Sequence, residues 1–443
     1  MRARDILIPG LACLLSATLG LPAAAQEKDL AAAYNASGQS LFRQFVAGTG
    51  NIVFSPYSIG TAMAMALAGT RGNTETEMAS VLKHKMPRPE IDAANAKLLA
   101  ILNGYDKSAV PPRCPPNMRL EGERCVRVQE GNECKRPTRL DGMECVAMPV
   151  RVPWVKVLAA NAIVMPKPTD EISFPYVDML RSNYAAEVYR GVGLDAINGW
   201  VKQKTEGKID KILDRLDPSS PAVLLNAVYF KAAWERSFDK RATIDGTFNL
   251  SPGQPAKVPT MRRLGGYALV ERYNYRALRI PYGLKSIGMI IVLPNTIGGL
   301  PEVGKRMDVA ELTDLFAALR KAKPKMVDLA LPRFNAMFKT DLKGAFQQEG
   351  ISLAFSREAA DFSGMTGVPA EQKRLAIGQI QHAAMIDVQE AGTEAAAATA
   401  IEMVPTSIPM PQETFFVDRP FLFYLVDDAT GAILFQGRIN DPR

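Results

Sequence analysis

Histidine is almost missing: His84 and His382 are the only two in 443 residues. That nearly empties the field of histidine-dependent hydrolases and histidine-ligated metal centres, so no catalytic group, metal or cofactor is expected. Basic tracts are missing as well. Lys and Arg number 53 against 46 Asp and Glu, a formal charge of +7 with no cluster, which argues against a nucleic-acid binder. Long apolar runs are absent too: Ile6 to Leu21 is broken by Pro9, Gly10 and Gly20, whereas a membrane span needs about 20 apolar residues. What remains is an ordinary globular composition, 47% apolar and 22% charged, in a chain long enough for one large domain or two or three smaller ones.

The first 25 residues look like a secretory signal. Arg2 and Arg4 precede the apolar run, which ends in Ala23-Ala24-Ala25, so cleavage is expected before Gln26 and the mature chain outside the cytoplasm, extracellular or periplasmic. Lipid attachment at Cys13 is the alternative. Of five cysteines, the other four crowd into 32 residues: Cys114, Cys125, Cys134 and Cys145. Their segments repeat, with ten residues between the cysteines, an Arg-Leu-acid-Gly in the middle and Val after the second cysteine. Three disulfide pairings are open, and the duplication favours Cys114–Cys125 with Cys134–Cys145; zinc is the weaker alternative, since no C-x-x-C occurs. Residues 26–443 are therefore read as one domain, interrupted by a cysteine-rich insert at about 106–150 whose partner is unknown.

Helical spacing is read at Ile59–Leu67, Met78–Leu82 and Ile91–Leu102, with helix starts at Ser55-Pro56 and at Thr74, which has Glu77 three residues on. Strands are read at Val155–Met165, Val223–Phe230, Ile287–Leu293, Val327–Leu331, Ala376–Val388, Phe421–Val426 and Ile433–Gly437. Helices and long strands in mixed order predict an α+β architecture with more than one sheet.

Several segments carry a more specific message. Asn51–Ile59 (NIVFSPYSI) is followed by Gly69–Met78 (GTRGNTETEM), then Ile197–Val201 (INGWV) with Thr205–Ile209 (TEGKI). Leu225–Lys231 (LNAVYFK) with Trp234 and Phe238, Asp361–Gly364 (DFSG), Asp418–Phe423 (DRPFLF) and Phe435–Arg438 (FQGR) complete the series. In this order they resemble the serpin family of serine protease inhibitors, from about residue 30 to the C-terminus. The resemblance implies the serpin fold: a large mixed central sheet, further sheets, surrounding helices and an exposed reactive-centre loop at about 390–413. It departs at Ala232, where the family usually has Gly, and in a short Val188–Ile197 connection that predicts a clipped first turn for the helix crossing the main sheet.

The stretch Val388–Ala400 (VQEAGTEAAAATA) has the composition of a helix. As a strand, period two puts Thr393, Ala395, Ala397, Thr399, Ile401 and Met403 on one face, and Glu394, Ala396, Ala398, Ala400, Glu402 and Val404 on the other. The first face starts small and uncharged, as a segment entering a packed sheet requires. With Glu390 before it and Gly392 as a flexible joint, it resembles the hinge of inhibitory serpins. With the signal read above making it secreted, the resemblance implies a monomeric suicide inhibitor: a serine protease cleaves the loop, is held as a covalent acyl-enzyme, and is carried off as the loop inserts into the central sheet. A non-inhibitory serpin acting as carrier, chaperone or binding protein is the alternative.

Counting from Gly392 as the family does places the cleaved bond at Thr406–Ser407. Proline follows Val404, Ile408 and Met410, which removes those bonds; Met403–Val404 is the fallback. Thr406 behind Val404 and Pro405, with Ser407 and Ile408 after it and no Lys or Arg from Gly392 to Thr414, suits an elastase- or subtilisin-like target. The match also gathers Ser55, Ser58, Asn226 and His382 into a hydrogen-bond cluster under the opening between central strands, with Trp234 near its top. A Ser55–His382 hydrolase is disfavoured because no nucleophile elbow or third partner accompanies them.

Overall fold

The computed structural model describes residues 23–46, 48–105, 118–121, 124–127, 139–141, 144–147, 155–169, 172–216, 220, 222–283, 286–393 and 410–443. The proposed signal up to residue 22, the loop at 394–409, and Cys114 and Cys134 lie outside them. The helices are α1 (Ala23–Phe45), α2 (Pro56–Ala68), α3 (Gly72–Val81), α4 (Arg88–Asn103), α5 (Phe174–Tyr184), α6 (Leu194–Lys204), α7 (Leu300–Arg306), α8 (Val309–Lys321), α9 (Lys343–Gln348) and α10 (Ser363–Thr366). The strands are β1 (Ile52–Phe54), β2 (Met118–Glu121), β3 (Arg124–Arg127), β4 (Arg139–Asp141), β5 (Glu144–Ala147), β6 (Val155–Met165), β7 (Glu187–Arg190), β8 (Ala222–Ala233), β9 (Ile244–Ser251), β10 (Gln254–Glu271), β11 (Tyr275–Pro281), β12 (Ile287–Pro294), β13 (Lys325–Pro332), β14 (Phe334–Asp341), β15 (Ile377–Gln389), β16 (Gly392–Thr393), β17 (Glu413–Phe416), β18 (Phe421–Asp427) and β19 (Ile433–Ile439).

The described strands form three sheets. One has nine strands in the order β1-β19-β18-β12-β11-β10-β13-β17, with β9 beside β10; the second is β14-β15-β16-β8-β6-β7; the third is β2-β3-β5-β4. This is the α+β arrangement expected from the sequence. Helix α2 starts where Pro56 fixes the first φ and Ser55 Oγ accepts the Ser58 N–H at 3.0 Å. All thirteen of its residues are buried, because it runs behind the six-stranded sheet through the main core. On the other face of that sheet α6 covers a separate small core: Ile197, Trp200 and Val201 pack on Val223, Leu225 and Ala227 of β8. Helix α6 begins at Leu194, a turn ahead of Ile197.

The helix start expected at Thr74 is corrected. Helix α3 starts two residues earlier, at Gly72. The Thr74 hydroxyl accepts from the Asp361 N–H instead, and Glu77 reaches across to the Ser352 and Leu353 N–H groups. Both polar groups were spent on distant backbone, so neither closes its own helix end.

In the third sheet each repeat forms one hairpin, with Leu120 opposite Cys125 and Leu140 opposite Cys145. The hairpins join through β3 and β5, where Val126 meets Val146 and Cys125 meets Ala147. The duplicated segments are thus related by an approximate twofold through the Val126–Val146 pair. The chain leaves the body at Tyr105 and re-enters at Val155, whose N–H donates to the Tyr105 carbonyl at 3.4 Å. Between these two residues lie the 49 residues 106–154.

Candidate functional site

The six-stranded sheet contains a joint that is closed at one end and wedged open at the other. Strands β8 and β15 are parallel and pair from Ala222/Ile377 up to Tyr229/Met385. Beyond that they part, and β16 lies between them, antiparallel to both: Thr393 pairs with Val388 and Ala232, and Gly392 with Gln389 and Ala233. Only glycine fits at 392. Its φ is +147°, and a Cβ there would collide with the Ala232 carbonyl oxygen.

Thr393 is fully buried, its hydroxyl 2.7 Å from the Tyr282 hydroxyl. Tyr282 stacks on Trp234, ring centroids 4.2 Å apart. Trp234 Nε1 donates to the Gln389 carbonyl at 2.9 Å, and its backbone N–H to that of Ala391 at 3.1 Å. Trp234 therefore ties β8 to the turn that feeds the wedge. Glu390, 2% exposed, accepts from Arg333 Nε at 2.7 Å and from the Thr243 hydroxyl at 2.6 Å. Burial alone would raise its pKa; the Thr243 and Arg333 hydrogen bonds outweigh that and hold the carboxyl below its ordinary value.

Lower down, where the joint is shut, Asn226 of β8 sits opposite His382 of β15 and Asn161 of β6. His382 Nδ1 is 2.5 Å from Asn226 Oδ1, so the imidazole donates there and Nε2, which has no partner among the described residues, keeps the lone pair. Asn226 Nδ2 shares its hydrogens among the Ser58 carbonyl at 3.0 Å, Ser58 Oγ at 2.5 Å and Asn161 Oδ1 at 2.5 Å. Burial pushes the imidazole down to about 3, so it is neutral at any ordinary pH. One amide thus bridges both sides of the joint and the helix behind it. Ser55 enters one bond further out, through the Ser58 N–H.

The structure brings Ser55, Ser58, Asn226 and His382 together, and sets Trp234, Glu390, Gly392 and Thr393 at the open end. Residues Glu394, Ala395, Ala396, Ala397, Ala398 and Thr399, and the segment Met403, Val404, Pro405, Thr406, Ser407 and Ile408, lie outside the described residues, so the expectations about them stand as they were. Sequence reasoning missed Asn161, Tyr282, Arg333 and Thr243. Asn161 left a signal, a lone amide in the apolar run of β6; the other three matter only through distant partners.

The family model described as "Serpin (serine protease inhibitor)" matches residues 32–113 and 154–442, passing over the cysteine-rich segment between them. The chain belongs to the serpin family. Among similar serpins, the leukocyte elastase inhibitor of Sus scrofa is 31% identical over 89% of this chain and 93% of that one. Iripin-2 of Ixodes ricinus is 30% identical over 98% of this chain and 99% of its own. Among solved structures, Serpin48 of the insect Tenebrio molitor, described as a highly specific serpin, is 25% identical with a TM-score of 0.72, covering 94% of this chain and 98% of that one. The sheet with the wedge is therefore the serpin central sheet.

Proposed function

We propose that this serpin is a secreted suicide inhibitor of serine proteases of the elastase or subtilisin type. One observation carries the reading: the loop's first two residues already form a strand between β8 and β15, with Thr393 buried on the inner side. From Thr393, period two carries Ala395, Ala397 and Thr399 to the same side. The first inward residues to follow are small, Ile401 and Met403 come only after them, and neither glutamate faces inward. Protease attack at Thr406–Ser407 forms an acyl-enzyme and frees the hinge end. Inserting about 15 residues at 3.3 Å each moves the tethered protease by about 50 Å. The opening strands must first release the Asn226–His382 bridge, which keeps the uncut molecule from closing on itself. No step asks the serpin to catalyse, and the threonine in a proline-rich, cation-free loop fits a shallow apolar pocket. The similar leukocyte elastase inhibitor agrees in its name with that target class.

The test is incubation with elastase- and subtilisin-type proteases. A denaturant-resistant band at the summed mass, with a released fragment beginning at Ser407, is expected. Cleavage at that bond with undiminished protease activity contradicts inhibition and leaves a substrate.

A further inference from the structure

A second polar fastening lies on the opposite face of the same joint. The segment that follows α6, residues 205–216, crosses the six-stranded sheet on the face away from α2. Asn198 ties it to α6: its Oδ1 accepts the Ile212 and Leu213 N–H groups at 2.9 and 3.1 Å, and its Nδ2 donates to the Leu213 carbonyl at 3.0 Å. Ile209, Ile212 and Leu213 are buried in the small core, which takes in Val223, Leu225 and Ala227 of β8 on one side of the joint and Ala383 of β15 on the other. Ion pairs complete the attachment. At one end Glu206, with a φ of +52° before a Gly207 at +78°, accepts from Lys156 of β6 at 2.8 Å and Lys231 of β8 at 3.3 Å. Those lysines face each other across strands, so one carboxylate relieves a like-charge pair. At the other end Asp214 accepts from Lys339 of β14 at 2.9 Å. The Lys156 hydrogen bond holds Glu206 below its ordinary pKa, and the Lys339 hydrogen bond does the same for Asp214.

The strand order β14-β15-β16-β8-β6-β7 decides what this attachment does. Glu206 is fixed on the β8–β6 side of the joint and Asp214 on the β14–β15 side, so the segment straddles it. Lys339 pairs with Ala383 and Ala383 with Ala227, one residue along from His382 and Asn226. Side chains alternate between faces, so the Asn226–His382 bridge points toward α2 and the Lys339 contact away from it. A strand entering between β8 and β15 parts them by one further spacing, about 4.8 Å. A 2.9 Å ion pair does not survive that while Asn198 and Glu206 hold the segment on the β8 side. We propose that residues 205–216 are a strap across the joint, and that the Asp214–Lys339 pair at its far end sets how fast a strand enters the sheet. The proposal rests on the inhibitory reading above and adds to it the residues that time insertion.

The experiment needs no protease. A synthetic peptide with the sequence of residues 394–406 is incubated with the intact full-length protein, and its entry is followed as conversion to a species that melts at higher temperature. The unaltered protein is compared with Asp214→Asn, Lys339→Gln, the two combined, and Lys339→Arg, each at low and at high salt. Asp214 is 72% exposed, so an effect of a few fold is in scale. Each single neutral variant should admit the peptide about threefold faster at low salt. The combined variant should be no faster than the faster single one, because either change removes the same pair. Lys339→Arg, which keeps the charge, should match the unaltered protein. High salt should speed the unaltered protein and leave the neutral variants little changed. Equal rates for all forms overturn the proposal, and so do slower single variants or single effects that multiply in the combined one. A peptide that enters no form of the protein overturns the inhibitory reading itself, and this proposal with it.

Discussion

The two large sheets of this serpin are built from similar residues and finished to different degrees. In the nine-stranded sheet β12 lies between β11 and β18 in unbroken antiparallel register, and every residue of β12, β18 and β19 is buried. In the six-stranded sheet the joint between β8 and β15 is parallel, irregular between Ile377 and Gln379, sealed in the middle by a polar cluster and wedged at the top by two residues. Parallel pairing is slightly weaker per residue, and polar groups in a dry joint hold only while all of them are paired. The first sheet is a support. The second is the sheet that the proposed insertion would open, and entry of a strand along β8 and β15 would have to break its Asn226–His382 bridge.

The sharpest way to break the comparison is to put the same charge in each sheet. Ile291→Arg, in the middle of β12, buries an unpaired charge and should cost more than about 5 kcal/mol, so the protein should fail to fold or to express in soluble form. Thr399→Arg, on the incoming face of the loop, should leave the melting temperature of the intact protein unchanged. It should nevertheless raise the number of inhibitor molecules consumed per protease at least tenfold, because insertion stalls. Thr399→Arg with full inhibition would overturn the assignment of faces.

A smaller effect is expected at the seal. Asn226→Ala orphans His382, Ser58 and Asn161 together and should destabilise the intact protein by about 2–4 kcal/mol in urea unfolding. Smaller again is Glu390→Gln. Arg333 is 41% exposed, so solvent recovers part of the loss, and about 1 kcal/mol is expected. The smallest concerns pH. His382 is held near 3 in the folded state against about 6.5 unfolded, so the unfolded chain takes up the proton first. Its contribution is whole above pH 6.5 and declines as pH falls toward 3. His382→Gln should flatten that decline in unfolding curves measured from pH 7 to 4.

Much of this was legible in the residues, for reasons that differ by place. Strands such as Val155–Met165 and Ala222–Ala233 are apolar on both faces because helices cover both sides, and that reads as a plain run. Ser55-Pro56 marks a helix start because cap and first turn are local. The 18-residue β10 was missed, since its burial alternates with exposed charge and Gly265 and Gly266 break the pattern. Thr74 and Glu77 misled because their partners, Asp361 and Leu353, lie almost 300 residues away. The hinge required the family pattern: Glu and Ala in Val388–Ala400 describe a helix, and only the need to enter a sheet makes their alternation meaningful. Glycine at 392 could be read as freedom, but the structure supplies a stricter reason, the approach of the Ala232 carbonyl.

The central claim is that the second sheet is short of a strand which the loop can supply. Scanning calorimetry of the intact protein and of protein nicked at Thr406–Ser407, without separation of the fragments, tests it most directly. A nicked molecule that melts well above the intact one is the predicted result, since on the proposed mechanism the cut lets Gly392–Thr406 complete the sheet. A nicked molecule that melts at or below the intact one would contradict it.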